Sequence, residues 1–176
     1  MRNTAFFLTG LALLFLQGNL FRILFWTHFP GLQPNLVLPL ILFMGVHEYS
    51  LSRGAIVSFV LGYATDLIGI SPIGLHAFTY ISVFLLARAA GVRLVAQTTM
   101  TQIILAFTFA LIHSAITLVL IAIFGRDAYV PRALYGTIIP HALVTGAIAP
   151  WIFRIAQQIH MVTGSGTRVD PVRGRR

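Results

Sequence analysis

Cysteine and lysine are both absent from this chain, and its 176 residues include only four acids: Glu48, Asp66, Asp127 and Asp170. Without cysteine there are no disulfides and no thiolate metal ligands, and nothing can be read about redox compartment. Without lysine, the net charge of +8 is carried wholly by arginine. Charge of either sign is scarce, at 9% of residues against 57% hydrophobic, and mean hydropathy is strongly positive. That balance excludes an ordinary soluble domain. It also disfavours a nucleic-acid partner. The arginines sit at the ends of apolar runs and in one tail, with no basic stripe alternating with stacking aromatics. Catalytic signatures are missing too: there is no GxSxG elbow, Walker loop or HExxH element. No two acids fall within the apolar spans to work as a pair. The sequence therefore points away from an enzyme and implies no cofactor.

Long apolar runs are what the chain does have, from Phe6 to the neighbourhood of Ile159. A span needs about 20 apolar residues, or about 17 where helices are short or enclosed by neighbours. The pattern predicts an all-α, polytopic membrane bundle of about six spans: Thr4–Trp26, Asn35–Tyr49, Gly54–Ile70, Ile73–Ala89, Thr98–Phe124 and Leu134–Gln158. Pro30-Gly31, Pro34, Ser71-Pro72 and Pro131 punctuate the turns. Residues 1–160 read as one membrane domain and 161–176 as a disordered basic tail. The N-terminal run lacks a small-residue cleavage site before a polar domain, so it reads as a first helix rather than a signal peptide. Placing both termini in the cytoplasm puts Arg2, Arg53, Arg88, Arg93, Arg154 and the tail arginines inside, with only Arg126 and Arg132 against the rule. A five-span alternative, with span two or the region around Pro131 re-entrant, stays open.

Asp66 stands out because ionisable groups inside a bilayer are costly and mark functional or paired positions. Gly54, Ser58, Gly62 and Asp66 recur at intervals of four. At about 100° per residue they cover one arc of the helix, a small-and-polar face suited to close helix contact. Asp66 is then read first as a satisfied structural group, capping a helix or bonding a neighbour. A partner-facing role or an ion site is the alternative. Arg22, one turn from the outer end of span one, falls at the same depth and could pair with it or snorkel to head groups. Asn19, Asn35 and His76 lie near that level. His113 and His141 share a depth in spans five and six, but no two histidines have ligand spacing on one helix. They are read as interhelical hydrogen-bonding groups, with His28 and His160 as interfacial residues.

Gln33-Pro34-Asn35-Leu36-Val37-Leu38, Gly62-Tyr63-Ala64-Thr65-Asp66-Leu67-Ile68, Ser71-Pro72-Ile73-Gly74 and, more weakly, Pro150-Trp151-Ile152-Phe153 together resemble the MreD family of the bacterial rod-shape system. The informative part covers about Pro34 to Tyr80. The resemblance implies a non-enzymatic scaffold of the inner membrane that binds the bitopic protein MreC. Through MreC it would connect to the MreB filament and to the wall-synthesis glycosyltransferase and transpeptidase. It also implies a fold similar to the substrate-binding subunits of ECF vitamin transporters, which brings in a competing function, small-molecule binding. Carried over position by position, the structural or partner-contact candidates are Pro34, Asn35, Gly62, Asp66, Pro72 and Gly74, with Arg22 added by the pairing argument. Asn19, Arg22, Asn35, Asp66 and His76 would line the cavity that the transporter reading needs. Pro140 and Pro150 within span six depart from an ordinary helix. A small lipid-acting membrane enzyme is a third and weaker reading.

Overall fold

The computed structural model describes residues 2–24, 33–47, 50–69, 72–90, 98–124 and 132–164. Those residues form six helices and no strand: α1 Arg2–Leu24, α2 Val37–Val46, α3 Leu51–Ile68, α4 Leu75–Ala89, α5 Thr99–Phe124 and α6 Arg132–Gly164. Among the described residues, Leu51–Ile68, Thr99–Phe124 and Gly136–Val162 are long and apolar enough to cross a membrane. Thr4–Leu20, Val37–Val46 and Leu75–Ala89 are shorter apolar helices. The six expected spans are therefore six helices of a bundle, with ends shifted by a few residues. The largest shift is at the end of span six, which runs on from Gln158 to Gly164, while span two shrinks from Asn35–Tyr49 to ten residues. Helix α6 extends four residues into the expected tail and runs unbroken through Pro140 and Pro150. Packed neighbours can re-satisfy the backbone groups that such prolines free in a membrane helix. Pro131 and the far end of the tail lie outside the described residues.

Helix contacts run α1–α3–α4–α5–α6 and back to α1, a closed ring of five, and α2 touches every member of it. All ten residues of α2 are buried. At about 1.5 Å per residue it is about 15 Å long, half the hydrocarbon thickness. Its sequence, VLPLILFMGV, is apolar on every side, as a helix enclosed by protein on every side should be. The core has this axle at its centre, with Phe43 meeting Phe6 of α1 at 6.2 Å and Phe153 of α6 at 5.7 Å between ring centres. His47 stacks on Phe43 at 4.0 Å, and His160 meets the ring edge-on. This aromatic end of α2 is opposite its polar start at Asn35.

Lipid is as apolar as leucine, so packing and hydrogen bonds must hold such helices together. Glycine supplies the closest approach. A methyl placed on Gly62 would lie 2.5 Å from the Cα of Ala77 and 2.6 Å from the carbonyl oxygen of His76, so α3 and α4 touch there backbone to backbone. One on Gly54 would enter the ring of Phe84. The inward face of α3 is Gly54, Val57, Ser58, Leu61, Gly62 and Asp66. The small-residue arc read from the sequence is the buried face. Hydroxyls elsewhere on the spans turn back onto their own helix, as Thr65 does to the Leu61 carbonyl and Thr79 to that of Leu75.

Candidate functional site

Helix α4 begins at a partly buried turn, and its first N–H groups have no intrahelical partner. Asp66, 2% exposed near the end of α3, meets that need. Its Oδ2 accepts from the backbone N–H of Gly74 at 2.9 Å and of Ala77 at 3.3 Å. Its Oδ1 accepts from the N–H of His76 at 3.0 Å and from the ring Nδ1 of the same residue at 2.8 Å. The Leu75 N–H goes to the Pro72 carbonyl at 3.2 Å, and the Phe78 N–H closes the first helical bond on Gly74. Every donor from Gly74 to Phe78 is thus satisfied. The carboxylate also lies at the positive end of the α4 dipole. Four donors converge on it, two of them from His76.

The Ser-Pro-x-Gly break makes this geometry. Gly74, the residue before α4, has φ of +98°, a left-handed conformation that side-chain-bearing residues adopt at a cost. That turn brings the start of α4 back beneath the end of α3. Gly62, one helical turn before Asp66, removes the side chain that would push α4 away. Pro72 is exposed.

A second set surrounds the start of α2. The Asn35 N–H donates to Thr145 Oγ1 of α6 at 3.0 Å, and the Leu36 N–H to Gln17 Oε1 of α1 at 3.0 Å. Asn35 Oδ1 takes the Leu38 N–H at 3.0 Å and the Tyr80 hydroxyl of α4 at 3.1 Å. Pro39 has no N–H to satisfy. Asn35 is 5% exposed and Pro34 is buried beside it. Asn35 therefore caps α2 and joins it to α4 through its side chain and to α6 through its backbone N–H.

Between the two sets lie three rings. His76 and Tyr80 of α4 and His113 of α5 are 6.1, 6.0 and 5.4 Å apart, centre to centre, taken as His76–Tyr80, His76–His113 and Tyr80–His113. His113 is 6% exposed and its Nε2 meets no protein partner, so the expected bond across helices is not made by that atom. Thr145, besides receiving the Asn35 N–H, donates to the His141 carbonyl. Among the described residues no three His, Asp or Glu side chains are placed to share a metal ion.

The candidates separate into two groups. Asn35, Gly62, Asp66 and Gly74 are all engaged in holding helix starts or helix contacts. The side chain of Arg22 lies outside those described, and the pairing with Asp66 with it. Of the proposed cavity lining, Asp66 and His76 are in direct contact. Asn19 is exposed and its Nδ2 donates to the Phe15 carbonyl of its own helix, whereas Asn35 and Asp66 are buried with their oxygens occupied. Sequence reasoning passed over Gln17 and Tyr80. A phenol or amide in an apolar span must find a partner, and that requirement was the available signal. Their partners lie on other helices and could not be read from spacing.

A family model for the rod shape-determining protein MreD matches residues 1–159. No curated protein and no solved structure matches the chain. The likeness to ECF subunits thus rests on the sequence resemblance. The match takes in all of α1 to α5 and ends inside α6. The chain belongs to the MreD family of rod shape-determining membrane proteins.

Proposed function

We propose that this protein is a non-enzymatic scaffold of the bacterial inner membrane that binds an MreC-like bitopic protein and helps organise peptidoglycan synthesis during elongation. Through that partner it connects indirectly to the MreB filament and to the elongation glycosyltransferase and transpeptidase. Family membership supports rod-shape determination. The single observation that favours a scaffold over a chemical role is the state of Asp66. Its two oxygens serve the start of α4 and His76, which suits a group that holds a shape. In this reading both termini are cytoplasmic, and the arginine-rich segment 161–176 meets anionic lipid or a cytoplasmic partner.

Depletion of the protein with imaging of cell shape, combined with co-purification of membrane partners, tests the proposal. Loss of rod shape and recovery of an MreC-like protein support it. Normal morphology together with tight binding of a vitamin-sized molecule would sink it in favour of the transporter reading.

A further inference from the structure

Buried polar atoms without a partner are rare, and leaving one unmade costs about 1–3 kcal/mol. Among the described residues two such side-chain atoms occur, Ser58 Oγ and His113 Nε2. The second has polar neighbours around it. Imidazole nitrogens lie about 1.1 Å from the ring centre, so a direct N–H···N bond of about 3 Å needs centres within about 5.2 Å. His76 and His113 are 6.0 Å apart. A bridge through one water oxygen tolerates centres out to about 7.8 Å on the same reckoning.

The tautomer of His76 favours such a bridge. Its Nδ1 lies 2.8 Å from Asp66 Oδ1, and a ring that donates there from Nδ1 leaves Nε2 as an acceptor. Tyr80 closes the triangle. Its hydroxyl hydrogen is directed to Asn35, which leaves its oxygen able to accept. Three rings from two helices, with centres 5.4 to 6.1 Å apart, thus bring together an acceptor, an unpartnered nitrogen and a phenol, and buried waters typically make about three hydrogen bonds.

We infer that His113, His76 and Tyr80 hold one structural water molecule, bound by His113 Nε2 and His76 Nε2, at the junction of α4 and α5. Through it the Asp66 cap of α4 and α5 become parts of one hydrogen-bonded assembly, which Tyr80 continues to Asn35, α2 and α6. The inference rests on this geometry and is independent of the scaffold reading.

The test uses the full chain in lipid nanodiscs with ¹⁵N-labelled histidine. Water-edited solid-state NMR should show early transfer from immobilised water to His113 Nε2, and His76 as the Nδ1-protonated tautomer. No transfer, or a direct His76–His113 N–H···N coupling, overturns the inference. Thermal unfolding gives an independent reading. An orphan nitrogen predicts that His113→Leu raises Tm, because an apolar group relieves the cost. A held water predicts that His113→Leu lowers Tm by about 3 °C or more, that His113→Gln loses less, and that His76→Phe and His113→Leu are non-additive. A rise in Tm or strict additivity counts against the water.

Discussion

Helix α2 starts deep in the bundle and α4 at a partly buried turn, and each satisfies its first N–H groups in a different way. The α4 start draws three backbone donors onto one carboxylate from the preceding helix, with a left-handed glycine shaping the turn. The α2 start divides its donors among Thr145, Gln17 and its own Asn35, one bond to each. The first is concentrated and charged, the second distributed and neutral. Concentration gives strength at one pair of helices; distribution gives α2 a fixed position relative to α1, α4 and α6 together.

Removing the concentrated cap should do the most harm. Asp66→Ala strands the donors of Gly74, His76 and Ala77 at once and is expected to cost about 4 kcal/mol, a fall of roughly 10 °C in Tm in detergent. Asp66→Asn should lose about half as much, since one oxygen remains. Next comes the contact that lets the carboxylate reach. Gly62→Ala forces backbone apart at Ala77 and should cost about 3 kcal/mol by the same measurement. Asn35→Ala breaks the distributed cap and leaves the Tyr80 hydroxyl unmatched, for about 2 kcal/mol. If Asn35→Ala proves as damaging as Asp66→Ala, the contrast between the two starts fails. Gly74→Ala strains a residue at positive φ by about 1 kcal/mol. Gly136→Ala, where an added methyl meets nothing within 4 Å, should stay within about 0.5 kcal/mol. The expected Arg22–Asp66 pair has its own check in the charge swap Arg22→Asp with Asp66→Arg, which should recover stability lost in either single variant if the pair exists.

Much of this could be read in advance. Apolar run lengths located six helices to within a few residues except at the end of α6, because hydropathy follows burial or lipid contact whichever causes it. The interval of four from Gly54 to Asp66 named the inward face of α3, since a helix's own period is written in its sequence. Asp66 as a capping group was legible in kind: a carboxylate in an apolar span must be satisfied. Its target was not, because the turn that delivers Gly74 to it depends on tertiary geometry. The centrality of α2 was also hidden. An all-apolar helix looks the same facing lipid and facing protein, so VLPLILFMGV carries no sign of where it belongs. The bond between Thr145 and Asn35 joins residues 110 positions apart and left no trace in local spacing.

That long bond bears on how the protein is made. Helix α2 leaves the ribosome early, yet the hydroxyl that takes the Asn35 N–H arrives with the last helix, and α6 also closes the ring against α1. A nascent chain ending after α5 would hold an axle with one side unwalled and a polar backbone group facing hydrocarbon. Biogenesis must therefore shelter α2 until the final segment is inserted, and truncation of α6 should mark the whole product for membrane proteolysis.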